Sequence, residues 1–129
     1  MKLIVRDELK INPLPGRGVQ LVVGAVNAAS ASNSMTWGFA HYDASYGPMA
    51  PHRHAEEVVF VLEADRSYVR YGGFGERPDE LGERVPLAKD MIMHFSENEW
   101  HVFEYEEGGH MVITFSYPNP GVYTGQVKG

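Results

Sequence analysis

The chain contains no cysteine. Disulfides, thiolate zinc sites, iron–sulfur clusters and cysteine nucleophiles are therefore excluded, and any metal must be held by nitrogen and oxygen. Long apolar runs are also missing. The longest, such as residues 19–26, fall far short of the roughly 20 residues that span a bilayer as a helix. Basic runs are absent too: 11 Lys and Arg stand against 17 Asp and Glu, a formal charge of −6. Neither nucleic acid nor a membrane is an expected partner, because both select clustered positive charge. No segment keeps a helical period over about three turns, which argues against an α-helical fold. The first eight residues meet charge too early for a signal peptide, so a cytoplasmic location is the expectation.

What remains is a chain of 129 residues, 43% hydrophobic and 12% aromatic, cut into short segments by 14 Gly and 8 Pro. This length suits one domain, residues 1–129, with a core of its own. Residues 19–26, 35–43, 57–63, 67–71, 91–95, 100–105 and 111–117 read as strands, with 57–63 and 67–71 as hairpin partners. A further short strand is possible at 121–126. Residues 27–34 and 45–51 read as a loop and a turn, and the charged segment 72–83 as a long exposed loop. Short strands with turn signals between them predict an all-β antiparallel sandwich or barrel.

The chemistry concentrates in GPMAPHRHAEEVVFVLE, residues 47–63. On a strand, His52 and His54 point to one face, so two imidazoles can meet one metal ion. A reversal through Ala55 and Glu56 would set Glu57 opposite His54 on that face. Val59 and Val61 share its parity and form an apolar interior beyond it. A wider turn would admit Glu56 in its place. A fourth donor must come from another segment, with His101, His41, His94 and His110 as candidates. His41 and Asp43 alternate with Trp37 and Phe39, and could line the cavity as acid/base or ligand-orienting groups; an exposed strand end is the other reading. His94 shares parity with Ile92, which gives it a minority case for facing inward. His110, after two glycines, reads as a turn residue.

These parts together resemble the cupin superfamily. Its first motif is a glycine, a spacer, His-X-His, a short gap, a Glu and a strand; here it reads Gly47, His52, His54, Glu57 and Val61-Leu62-Glu63-Ala64. The second motif reads Lys89-Asp90-Met91-Ile92-Met93, then residues 96–99, then His101. Lys89 and Ala64 stand where glycine is usual, and the gap before Glu57 is short. The resemblance covers about residues 35–117 and implies a double-stranded β-helix, or jelly-roll barrel. It implies one divalent transition metal (Fe, Mn, Ni, Zn or Co) inside, on His52, His54, Glu57 and His101.

Three imidazoles and a carboxylate form a borderline-hard ligand set with coordination positions to spare. The function expected by resemblance is a metal-dependent enzyme on a small oxygenated substrate that chelates the ion, of dioxygenase or of isomerase or lyase type. The alternative is a non-catalytic metal- or small-molecule-binding cupin. A homodimer is also expected, with residues 2–6 as a strand exchanged between subunits.

Overall fold

The computed structural model describes residues 1–78 and 81–120. The possible strand at 121–126 lies outside them. Eight strands form one sheet: β1 (Asn12–Leu14), β2 (Arg17–Gly24), β3 (Ser30–Ala31), β4 (Thr36–Tyr42), β5 (Glu57–Tyr71), β6 (Val85–Pro86), β7 (Ile92–Phe95) and β8 (His101–Tyr117). The main path runs β1-β2-β4-β8-β5-β6, with β3 on β2 and β7 on β5. All of these pairings are antiparallel except β2 with β3. Two single-turn 3₁₀ helices, Arg6–Glu8 and Ala44–Tyr46, complete the described elements. None of the described helices is long and apolar enough to cross a membrane.

The frame is the ribbon made by β5 and β8, which pair from Val58 with Ser116 to Tyr71 with His101. Sequence patterning divides each of these strands in two, because Ala64-Asp65-Arg66 and Gly108-Gly109 read as turns. The structure corrects this: 57–63 and 67–71 are one bulged strand, not a hairpin, and 100–105 and 111–117 belong largely to one strand. The turn-forming residues bend the ribbon instead of ending it. Register shifts fall between Val61 and Glu63 and between Asp65 and Ser67. Bulges of this kind sharpen the local bend and twist. Arg66 (φ 50°) and Gly108 (φ 77°) take left-handed backbone there. The Arg66 guanidinium donates to the carbonyls of Glu107 (2.9 Å) and Gly108 (3.0 Å), tying the two bends together.

The bend closes the barrel. Straight, the 17 residues of β8 would span about 50 Å. Instead the rings of His101 and Tyr117, at its two ends, each lie 4.9 Å from the ring of His54. Strand parity fills the space between. Glu57, Val59 and Val61 of β5 point inward, as do Met111, Ile113, Phe115 and Tyr117 of β8. Val69 and Phe103, from the other side of the bend, join the same apolar cluster.

Gly109 sits at the bend, where an added Cβ would lie 2.8 Å from the Asp65 carbonyl and 2.9 Å from that of Glu106. Gly109→Ala should cost roughly 1–3 kcal/mol, as overpacking does. Gly75→Ala, where a Cβ would meet nothing within 4 Å, should be close to neutral. Urea unfolding of both variants checks this; equal midpoints would contradict the tight approach.

Candidate metal centre

His52 and His101 are brought together by backbone alone. His52 N donates to His101 O and His101 N to His52 O, both at 3.0 Å, an isolated antiparallel bridge. Residues paired this way carry their side chains on one face, and the two rings stand 4.4 Å apart. His54 is not on a strand. Its carbonyl accepts from Asn98 N at 2.8 Å, which pins it against the turn before β8. One potential ligand atom from each of the three histidines falls within 4.8 Å of the others.

The ring orientations are fixed in a common way. Nδ1 of His52 faces the Ala50 carbonyl at 3.1 Å, Nδ1 of His54 that of Ala55 at 2.8 Å, and Nδ1 of His101 that of Glu99 at 2.9 Å. A carbonyl can only accept, so each Nδ1 carries the proton and donates it, and each Nε2 keeps its lone pair. Glu57, first residue of β5, sends Oε1 to 3.6 Å from His54 Nε2 and 3.5 Å from His101 Nε2. Glu57 Oε1 and His101 Nε2 are both buried without a hydrogen-bond partner among the described residues. Two acceptors facing each other in a dry site are costly unless something positive lies between them. The donor set therefore fits a cation, and three imidazoles with one carboxylate suit a divalent transition metal.

Burial reinforces this. It pushes the His52 imidazole down to about 3, with the neighbouring His101 adding to the effect. Burial also lowers His54, opposed by the Glu57 charge. Both rings are thus neutral at pH 7, the form that ligates metal. Phe95 stacks on His101 at 4.1 Å, and Tyr117 stands edge-on to His54 with its hydroxyl 3.5 Å from Nε2. Arg53, between the two histidines, lies over Trp100 at 4.9 Å and donates to the carbonyls of Phe74 (3.0 Å) and Gly75 (2.7 Å). Trp100 Nε1 donates to the same Gly75 carbonyl at 2.9 Å. Both histidine-bearing segments are thereby tied to the described part of the loop after β5. A cavity of about 350 Å³ opens beside the histidines, lined by Arg17, Met49, Tyr42 and Tyr117 among others.

The remaining candidates lie elsewhere. Glu56 turns outward and pairs with His94, also exposed, at 2.6 Å. His41 does not line the cavity: β4 buries Thr36, Gly38, Ala40 and Tyr42, so Trp37, Phe39 and His41 face out. His41 meets Gln20 Oε1 at 2.7 Å. Asp43 caps the helix Ala44–Tyr46 through Ser45 N. His110 is a strand residue, exposed and 4.0 Å from Glu63. Tyr117 could have been found from its parity with Ile113 and Phe115; nothing in the sequence signals the arrangement of Arg17, Arg53 and Trp100.

No family model and no curated protein matches the chain. Solved structures do. The polyketide cyclase RemF from Streptomyces resistomycificus aligns over 92% of this chain and 79% of its own, at 17% identity and a TM-score of 0.67. KdgF from Halomonas sp. aligns over 92% and 94%, at 15% identity and a TM-score of 0.63. Hydroxypropylphosphonic acid epoxidase from S. wedmorenis aligns over 91% and 59%, at 17% identity and a TM-score of 0.64. The chain thus spans under two thirds of the epoxidase's length. These likenesses define the fold: the chain is a small cupin-fold domain, an all-β barrel carrying a three-histidine group that suits a divalent metal.

A depressed imidazole makes stability pH-dependent with a definite sign. The folded chain keeps His52 neutral down to about pH 3, while the unfolded chain protonates it near the ordinary imidazole value of 6.5. The stabilisation is complete above 6.5 and is lost as pH falls from there toward 3. Urea midpoints of metal-free protein should drop between pH 7.5 and pH 5, and His52→Asn should flatten the slope. Equal slopes in both would contradict a buried neutral His52.

Proposed function

We propose that this chain is a metal-dependent cupin enzyme acting on a small oxygenated organic molecule that chelates the ion. His52, His54, Glu57 and His101 are the ligands. The observation that carries this is the buried Glu57 Oε1 facing His101 Nε2 at 3.5 Å with neither atom hydrogen-bonded. A metal there would supply Lewis-acid polarisation of a substrate oxygen, or a redox centre. The protein's part is to hold the imidazoles in one tautomer through the Ala50, Ala55 and Glu99 carbonyls. Phe95 and Phe103 keep the inner wall dry, and the Tyr117 hydroxyl stands beside His54 Nε2, where it can exchange a hydrogen bond with bound substrate. The epoxidase neighbour is known with Fe(II) and with Co(II), and RemF is a cyclase. Such variety on one fold leaves the reaction to the site.

One observation favours a second reading, a non-catalytic metal-dependent binder. With His41 and Asp43 outside, the described cavity lining holds no Asp, Glu or His beyond the ligands. We also propose a homodimer through the outer sheet face, where Val58 and Ile92 are exposed. Residues 2–5 form no strand in the single chain, and Arg6 opens a 3₁₀ helix and lies over Phe39 at 4.4 Å. Sedimentation should show a dimer; a monomer at high concentration would contradict it.

Protein purified without chelator or metal-affinity tag should carry about one equivalent of a transition metal by elemental analysis. His52→Ala with His54→Ala should abolish uptake. Glu57→Gln should weaken it ten-fold or more, about 1.4 kcal/mol, and Glu56→Gln should leave it unchanged. Full occupancy in the double variant would mean that other residues bind the ion.

A further inference from the structure

A second cavity, of about 380 Å³, adjoins the one beside the histidines. Pro48, Met49 and Phe103 line both, so these three residues stand between them. Ala44, Arg84, Glu104 and Tyr105 form its far side. The polar groups there are already engaged. The Tyr105 hydroxyl lies 2.7 Å from the Asp43 carbonyl and 2.6 Å from that of Gly47, and spends its one proton on them. Glu104 Oε1 accepts from Arg70 at 2.8 Å and lies 3.5 Å from Arg84 Nε. The Arg84 guanidinium covers the Tyr68 ring at 3.9 Å. What the second cavity offers a ligand is therefore apolar surface: Pro48, Met49, Phe103 and the Tyr105 ring. Of the three dividing residues, only Met49 can move aside. Phe103 is buried in the core, edge-on to Tyr42 at 5.3 Å, and Pro48 is a closed ring. The Met49 backbone is held in place, since a Cβ on Gly16 would lie 2.9 Å from Met49 Cα. Its half-buried side chain, unbranched and with three rotatable bonds, is the adjustable part.

We propose that the two cavities are halves of one elongated binding site, divided by the Met49 side chain, for a molecule with an oxygen-donor head and an unbranched apolar tail. The head reaches the metal, so the proposal rests on the metal reading above. The tail passes between Pro48 and Phe103 and lies in the second cavity. Displacing Met49 opens a passage of the width of its own side chain, which admits a straight alkyl chain and excludes a branched one. A charged tail is disfavoured too, because the charged and hydroxyl groups lining the second cavity already have partners and would leave it unpaired. Each cavity alone lies at the small end of the roughly 300–1,000 Å³ usual for ligand sites, and the pair accommodates a longer molecule. Met49 is thus a specificity-determining residue: it sets the length and shape of the ligand's tail without touching the metal.

The test uses the full chain loaded with Co(II), whose visible spectrum reports both loading and ligand entry. Acetohydroxamate and octanohydroxamate are the probes, because they share a two-oxygen chelating head and differ only in the alkyl tail. Octanohydroxamate should bind the native protein at least ten-fold more tightly, from burial of its tail. Ala44→Trp, which fills the second cavity from its far side, should cut that advantage about five-fold while Co(II) and acetohydroxamate affinities stay the same. Met49→Ile keeps the bulk but stiffens the side chain, and should also cut it. Met49→Ala leaves the passage open and should keep it, which separates a closed passage from a damaged fold. Equal affinities of the two probes for the native protein would overturn the proposal alone. So would an advantage undiminished in both Ala44→Trp and Met49→Ile, or one lost in Met49→Ala. Failure to take up Co(II) at all would overturn the metal reading and this proposal with it.

Discussion

The site depends on one constraint: the β5–β8 ribbon must bend back on itself. His101 and Tyr117 are the two ends of a single strand, yet both rings touch His54. That convergence requires the bulges between Val61 and Ser67, the left-handed Arg66 and Gly108, and the close packing at Gly109. A ribbon that ran straight would leave His101 on one sheet edge and Glu57 far from it. The residues that make the bend set where the candidate ligands meet.

Within that frame, small local devices set the chemistry. A two-bond backbone bridge aligns His52 with His101, and three carbonyls lock three imidazoles in one tautomer. The result is a site in which the buried Glu57 Oε1 and His101 Nε2 lone pairs converge with no donor between them. Such an arrangement is unfavourable by itself, and folded proteins seldom leave buried acceptors unpaired. A cation would turn the same geometry from a cost into a binding site. The Arg53–Trp100 contact extends the support outward by fixing both ligand segments to one loop.

Much of this was legible in the sequence, for definite reasons. A period of two is rigid, so parity along β5 places Glu57 inside with Val59 and Val61 and turns Glu56 out. The route was different from the expected one: Glu57 pairs with Phe95 on β7, not with His54. Parity alone misleads at His41, because large aromatics such as Trp37 and Phe39 read as an inner face. On the inner face Phe115 fills the space at Gly38, where an added Cβ would lie 3.0 Å from its ring. Turn-forming residues at 64–66 and 108–109 carry the same local signal whether they end a strand or bend it. Only the long-range pairing of β5 with β8 decides between the two. Arg17 reaches the cavity by tertiary packing, for which a single sequence holds no pattern.

The proposed centre sets one ion among His52, His54, Glu57 and His101. X-ray absorption at the cobalt edge of the Co(II)-loaded protein tests it most directly, since it counts imidazole ligands without reference to any activity. Three imidazole nitrogens and a carboxylate oxygen are expected around each ion, with one imidazole lost in His101→Ala. A first shell of oxygen alone, or one unchanged by that substitution, would contradict it.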